Sequence, residues 1–283
     1  MRRGILAELR GSLPEEALCL VPRSFDILGS KQRAVAIVEL QEGLEAYEEA
    51  IAEAVMRVQK NVVSVLAKQS AREGDYRVRE LRLVKGNPDT EIVHRESGCH
   101  FRLDPRTVYF STRESNERNR IISTIVDGEE ILVMFSGVGP LPIRIAKARP
   151  GVRATAVELN PYAHNYCVEN THMNRVADRV ETIQGDVREV CPGLGRRFDR
   201  VLMPLPKGAY RFLDVATPLL KDGGTLSLYH WAPGDDLFTE AEALLREAFE
   251  GEGRGVEFLR RVKVSQYNPK FWKVRVDVKA TRP

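Results

Sequence analysis

Residues 135–140 read Phe135-Ser136-Gly137-Val138-Gly139-Pro140, directly after an apolar run and directly before a helical pattern. Glycines at a strand-to-helix turn remove side chains, so that a ligand can press against backbone N–H groups at the helix N-terminus. Tight packing of strand on helix would use the same glycines. Pro142 holds the position of the third glycine of the dinucleotide fingerprint, which argues against NAD or FAD. The next strand ends Val157-Glu158-Leu159-Asn160-Pro161, placing a carboxylate 21 residues after Gly137, where an acidic group accepts both hydroxyls of an adenosine ribose. A third strand ends Gln184-Gly185-Asp186-Val187-Arg188, and Asp186 is a candidate contact to an adenine amino group and equally a candidate helix N-cap. Three decorated strand ends in succession favour an adenosine ligand over packing alone. After the fourth strand, Met203-Pro204-Leu205-Pro206-Lys207 forms a stiff turn. Its prolines either aim carbonyls at a substrate amino group or simply end the strand.

The elements that must position these residues follow from the hydrophobic pattern. Strand candidates at 131–135, 153–157, 180–183, 200–203 and 225–230 alternate with helix candidates at 141–148, 162–173, 209–220 and 238–249. Such alternation is the signature of a parallel sheet covered by helices on both faces. Two further alternating stretches, 255–264 and 273–278, flank Tyr267-Asn268-Pro269 and predict a closing antiparallel hairpin. A doubly wound sheet ended by a hairpin is the shape of a class I methyltransferase. Ahead of it, 34–38 reads as a strand, and 44–66 as one long amphipathic helix with Leu44, Tyr47, Ile51, Val55, Val58, Val62 and Leu66 at helical spacing. The stretches 76–84, 91–95, 100–103 and 107–110 read as strands. The pattern predicts a small α/β domain over 1–120 and a larger α/β domain over 121–283.

With 283 residues, 43% of them apolar, the chain can bury one large core or two modest ones, which excludes global disorder. The net charge of +3 provides no strong global field, so a nucleic acid would have to be met by a local patch. Between Lys68 and Arg120, 12 basic residues stand against 9 acidic ones, and 10 of the 12 are Arg, suited to bidentate phosphate contacts. A solvated mixed-charge face is the plainer alternative. The four cysteines have no CxxC spacing and no His at ligand spacing, so buried reduced thiols are expected and no metal is. Glu8 and Arg10 interrupt the apolar stretch that a signal peptide would need, and no run approaches about 20 apolar residues. A cytoplasmic protein without membrane association is expected.

In order along the chain, Phe25-Asp26 with Gly29, Tyr76-Arg77-Val78-Arg79-Glu80-Leu81, Tyr109-Phe110-Ser111, Glu117-Arg118, the loop 135–140, Asn160-Pro161, Asn170, Asp178-Arg179-Val180, residues 185–189 and Leu205-Pro206-Lys207 carry a resemblance from Pro22 onward. The chain resembles the archaeal and eukaryotic tRNA (guanine-37-N1)-methyltransferase family with the related wyosine-pathway transferases. The resemblance implies a Rossmann-like class I fold, S-adenosyl-L-methionine as cofactor, and a tRNA partner engaged at position 37 of the anticodon loop. It implies a cofactor site lined by Tyr109, Arg118, Phe135, Gly137, Gly139, Glu158, Leu159, Asp186, Val187 and Pro204. Glu117 resembles the general base for guanine N1 and Arg77 the contact to O6, with Arg113, Arg118 and Lys207 toward substrate or phosphate. The roles are chemically coherent, since attack by N1 requires loss of its proton while a cation at O6 stabilises the developing charge. A surface ion pair with Arg113, Arg118 or Arg120 is the alternative for Glu117, and pairing with Glu80 or Glu91 the alternative for Arg77.

Three departures from the family pattern matter. Val133 replaces the usual Asp of the strand before the glycine loop, removing one acidic contact near the cofactor. Pro204 stands where guanosine-only members have Asn, which removes an amide from the guanine edge and points to a subgroup that also methylates a tricyclic wyosine intermediate. The extra N-terminal domain of many archaeal members is expected to be absent. N1-methylation of guanosine 37 by a monomer is the expected activity. Aminocarboxypropyl transfer to a wyosine intermediate is the alternative reaction. A non-catalytic RNA-binding protein with a vestigial cofactor site is the alternative of another class, against which intact Gly137, Gly139, Glu158 and Glu117 count.

Overall fold

The computed structural model describes residues 4–74, 76, 78–266 and 268–282, without side chains for 71–73. The chain divides into two compact units, Met1–Arg113 and Glu114–Pro283.

The first unit opens with two short helices, α1 (Ile5–Leu9) and α2 (Glu15–Leu20). Its four-stranded sheet has the order β1-β2-β3-β4: β1 (Asp26–Gly29), β2 (Ala34–Val38), β3 (Val62–Glu73) and β4 (Val78–Gly86). Helix α3 (Glu48–Val58) connects the parallel neighbours β2 and β3 and buries Ile51, Ala52, Ala54 and Val55 against the sheet. The single helix expected over 44–66 is therefore a helix followed by a strand. The helix stops at Gln59, whose N–H donates to Val55 O at 2.8 Å, and Val62, Val65 and Leu66 are buried from the strand instead. A continuous apolar run packs equally well in either geometry, and here the β-branched residues after Asn61 decide it. A two-stranded ribbon, β5 (Ile92–Glu96) and β6 (Cys99–Leu103), follows. The strand expected over 107–110 is a turn instead, because the N–H groups of Thr107 and Val108 both donate to Asp104 O at 3.1 Å. Cys99, Cys167 and Cys191 are buried thiols as expected, whereas Cys19 is exposed on α2.

The second unit is a seven-stranded sheet in the order β12-β13-β11-β10-β7-β8-β9. Strands β7 (Glu130–Met134), β8 (Arg153–Glu158), β9 (Val180–Gln184), β10 (Phe198–Met203) and β11 (Leu220–Pro233) are parallel. The hairpin β12 (Gly255–Gln266) and β13 (Phe271–Thr281) closes the sheet, with β13 antiparallel to both β11 and β12. This is a Rossmann-like methyltransferase sheet, with its switch point between β7 and β10. Both faces of the central strands are buried. Leu132, Met134, Val201 and Met203 join one core, and Ile131, Val133 and Leu202 join a second core on the opposite face. That second core is completed by Ile121 and Ile122 of α4 (Ser115–Ile122) and by Leu141 and Ile145 of α5 (Pro140–Ala148). Helices α6 (Pro161–Met173), α7 (Val187–Val190) and α9 (Thr239–Gly251) fill other crossovers. The helix expected over 209–220 is broken into the single turn α8 (Leu213–Ala216) between two 3-10 turns. Pro218, which lacks an N–H, prevents its continuation. Among the described residues no helix is long and apolar enough to cross a membrane.

Because Ile121 is fully buried between α4 and the sheet, Ile121→Ala is expected to destabilise the second unit by about 2–5 kcal/mol. Both tryptophans, Trp231 and Trp272, lie in this unit, so urea unfolding followed by their fluorescence reads the change directly. An unshifted midpoint would place α4 off the sheet.

Candidate active site

The glycine loop leaves β7 through three left-handed residues, Phe135 (φ 57°), Gly137 (φ 57°) and Gly139 (φ 84°). At Gly139 an added Cβ would lie 2.6 Å from Cys167 Sγ, so glycine is required for conformation and space alike. Asn170, fully buried on α6, donates from Nδ2 to Val138 O at 3.0 Å and fixes the loop from below. Glu158, at the end of β8, accepts from Gly137 N–H at 2.7 Å through Oε2 and from Asn160 N–H at 2.9 Å through Oε1. Burial raises the Glu158 pKa, against the lowering effect of those backbone donors. Asn160 in turn caps α6 by accepting from Tyr162 N–H at 3.0 Å.

An added Cβ at Gly137 would meet open space, so this side of the loop can take a ligand without displacing protein atoms. Ser136 beside it is buried, its hydroxyl against the Cys167 thiol. An open loop and a carboxylate fit S-adenosylmethionine. Asp186 caps α7, its Oδ1 accepting from Arg188 N–H at 2.8 Å, while the preceding Gly185 N–H donates to Glu158 O at 2.9 Å. Phe135 meets Phe212 edge-on at 5.1 Å, and the Arg188 guanidinium lies 4.9 Å from the centre of the Phe212 ring. Val187 is buried, and Leu159 and Pro204 are half-buried. Leu205 N–H donates to Met203 O at 2.9 Å, closing the proline turn, with Lys207 exposed on it. Residues 135–139, 158–159, 186–187 and 204 thus all stand at the carboxyl ends of β7, β8, β9 and β10.

Glu117 on α4 is only 3% exposed. Its Oε1 accepts from the Tyr229 hydroxyl at 2.8 Å and from Arg275 Nη1, and Arg120 Nε lies 3.0 Å from Oε2. Arg275 also pairs with Asp277 at 2.9 Å, which accepts from Ser227 Oγ at 2.7 Å. Lys273, two residues earlier on the same strand, pairs with Glu114 at 2.7 Å. Burial opposes the charge on Arg275, but the Tyr229 hydroxyl, Asp277 and Glu117 raise its pKa above the ordinary guanidinium value. This cluster was not foreseen from the sequence. Lys273, Arg275 and Asp277 alternate with valines on β13, a pattern that ordinarily marks a solvated face. Here α4 covers that face. The signal available in the sequence was the three charges of mixed sign in an otherwise strongly apolar strand.

In the first unit, Tyr109 is 38% exposed and Arg113 pairs with Asp26 at 2.9 Å. Arg77 lies outside the described residues. Arg118, on α4 of the second unit, is buried. Among the described residues no three His, Cys, Asp or Glu side chains are grouped to hold a metal ion.

Residues 92–257 match the TRM5/TYW2 methyltransferase domain, and residues 5–90 match the TYW2 N-terminal domain. A tRNA (guanine(37)-N(1))-methyltransferase, Trm5b, of Pyrococcus abyssi is 37% identical, over 95% of this chain and 78% of its own. A tRNA(Phe) (4-demethylwyosine(37)-C(7)) aminocarboxypropyltransferase of Pyrococcus horikoshii is 31% identical, over 96% of this chain and 94% of its own. The solved structure of P. horikoshii TYW2 in complex with MeSAdo superposes with a TM-score of 0.82 at 29% identity, over 99% of this chain and 98% of that one. Its fold, its loop and carboxylate, and these matches make S-adenosylmethionine the cofactor and place the chain in the TRM5/TYW2 methyltransferase family.

Proposed function

We propose that this chain transfers the methyl group of S-adenosylmethionine to N1 of guanosine 37 in the anticodon loop of a tRNA. The observation that carries the reading is Glu117, a carboxylate enclosed in the unit that also holds the glycine loop and Glu158, with one oxygen anchored by Tyr229 and Arg275. Guanine N1 bears a proton, and substitution there needs a fixed acceptor for it. When bound, the cofactor supplies an electrophilic methyl carbon on a positively charged sulfur. Glu158 holds its ribose, Gly137 and Gly139 lie by its methionine portion, and Glu117 takes the N1 proton. Arg77 is assigned to the charge that develops at O6, and Arg113, Arg118 and Lys207 to substrate or phosphate. The higher identity to the Pyrococcus abyssi methyltransferase, 37% against 31%, supports methyl transfer.

Two observations favour a second reading, aminocarboxypropyl transfer to a wyosine intermediate. Residues 5–90 match the TYW2 N-terminal domain, and the chain spans 94% of the aminocarboxypropyltransferase. Pro204 supports a variant of the first reading in which a tricyclic base is methylated as well, because its flat apolar ring leaves the wall of the turn without a polar demand. The deciding measurement is mass spectrometry of two tRNAs, one with guanosine and one with 4-demethylwyosine at position 37, incubated with S-adenosylmethionine. Methyl addition to guanosine is the expected product, and an aminocarboxypropyl adduct would overturn the reaction type.

Glu117→Gln is expected to lower the single-turnover rate on the order of 100-fold while tRNA and cofactor affinities hold. A collapse of tRNA affinity at an unchanged rate would make Glu117 a binding residue.

Glu158→Ala is expected to weaken S-adenosylmethionine binding by about 1–3 kcal/mol, the cost of leaving hydrogen-bonding groups unpaired. Calorimetry that finds the same affinity in the variant removes Glu158 from the cofactor site.

A further inference from the structure

We infer that Tyr229 and Arg275 are positioning residues for Glu117: they hold its Oε1 and leave Oε2 to accept the substrate proton, an inference that rests on the role proposed for Glu117. The two oxygens are treated differently. Oε1 takes both the Tyr229 hydroxyl, at 2.8 Å, and Arg275 Nη1. Oε2 is buried and has no aligned donor, the Arg120 Nε atom at 3.0 Å being a charge contact without hydrogen-bond geometry. A buried carboxylate oxygen without an aligned donor is held at a cost in free energy. An incoming N–H donor would satisfy it.

The holders are themselves fixed. Tyr229 and Arg275 are direct cross-strand partners in the β11–β13 register, as are Ser227 and Asp277. Asp277 accepts from Arg275 Nη2 at 3.2 Å through Oδ2, and its Oδ1 lies 2.9 Å from Nε as a charge contact. Lys273, anchored by Glu114, sits 4.8 Å from the centre of the Tyr229 ring. Burial first, and then the Glu117 charge, push the Tyr229 phenol well above its ordinary pKa, so it remains a hydrogen-bond donor. By contrast Arg120, whose Nε lies 3.0 Å from Oε2, is 45% exposed, and its guanidinium donates to the Lys263 and Val264 carbonyls at 3.4 and 3.3 Å. The sheet side of the carboxylate is held by buried groups, and its other oxygen faces the exposed Arg120.

The experiment compares single-turnover rates and equilibrium affinities for tRNA and S-adenosylmethionine in Tyr229→Phe, Arg275→Met, Arg275→Lys and Glu117→Gln proteins. Tyr229→Phe keeps the ring and should lower the rate about tenfold, with both affinities within about twofold of the natural protein. Arg275→Met should lower it about 100-fold, with part of the rate recovered in Arg275→Lys. In a Glu117→Gln background Tyr229→Phe should cost nothing further, because the group it positions is gone. Tryptophan fluorescence verifies that each variant is folded. A folded Tyr229→Phe protein at full rate, or one whose loss adds to that of Glu117→Gln, overturns the positioning role while the base role stands. An undiminished rate in Glu117→Gln overturns the base role itself.

Discussion

Strand β13 carries Lys273, Arg275 and Asp277 into the interior of the second unit, and their charges have to be met there. The strand cannot turn them to solvent, because it is paired on one edge with β11 and on the other with β12, and its opposite face holds Val274, Val276 and Val278, all fully buried. Taking an ion out of water costs several kcal/mol, which only close and well-oriented partners offset. Those partners are Glu114 and Glu117 of the α4 region, Tyr229 and Ser227 of β11, and the strand's own Asp277. The placement of α4 on the sheet is thereby fixed twice, by apolar contacts through Ile121 and Ile122 and by ion pairs through Glu114 and Glu117. Replacing such a network with apolar side chains is often neutral or stabilising in other proteins. Stability alone therefore does not explain its presence, and holding the Glu117 carboxylate at one oxygen is the role inferred for it.

The carboxyl edge of the parallel strands follows a different rule. There side chains hold the backbone in place. Glu158 illustrates this: one carboxylate accepts from the loop through Gly137 and from the head of α6 through Asn160, so loop and helix are tied through a single side chain. Each carboxylate oxygen has two acceptor sites, so capacity remains for hydroxyl groups of a ligand. The raised pKa of Glu158 follows mainly from its burial. Val133, where the family usually has Asp, adds instead to the apolar face packed on α5. Glu158 is consequently the acidic group at the ends of β7 and β8.

What could be read from the sequence divides along the same line. The parallel strands, the loop 135–140, Glu158 and Asp186 were legible because each depends on short-range pattern: an apolar run, a glycine turn, an acidic residue at the strand end. Asp186 shows the limit, since its carboxylate caps α7 in this structure, which was one of its two sequence readings. The run 44–66 failed because buried strand and buried helix share one composition, so local pattern did not separate α3 from β3. The network around Glu117 was illegible for a different reason. Its members are separated by as many as 159 residues in sequence, and alternation on β13 suggests a solvated face until α4 is laid over it.

Helix α4 is also bound to the helix that begins at the glycine loop. Arg144 of α5, only 4% exposed, donates to Ser115 O at 3.4 Å and to Asn119 Oδ1, both on α4. Leu141 and Ile145 of α5 share an apolar cluster with Ile121 and Ile122 of α4. Glycine loop, α5, α4 and Glu117 therefore form one packed sequence of contacts within the second unit, with β11 and β13 gripping the carboxylate from the other side. Group transfer is sensitive to distance, and misplacement by about 1 Å can cost roughly 100-fold in rate. Placing Glu117 on a helix that packs against the helix leaving the glycine loop, and fixing one of its oxygens from the sheet, makes its position a property of the core.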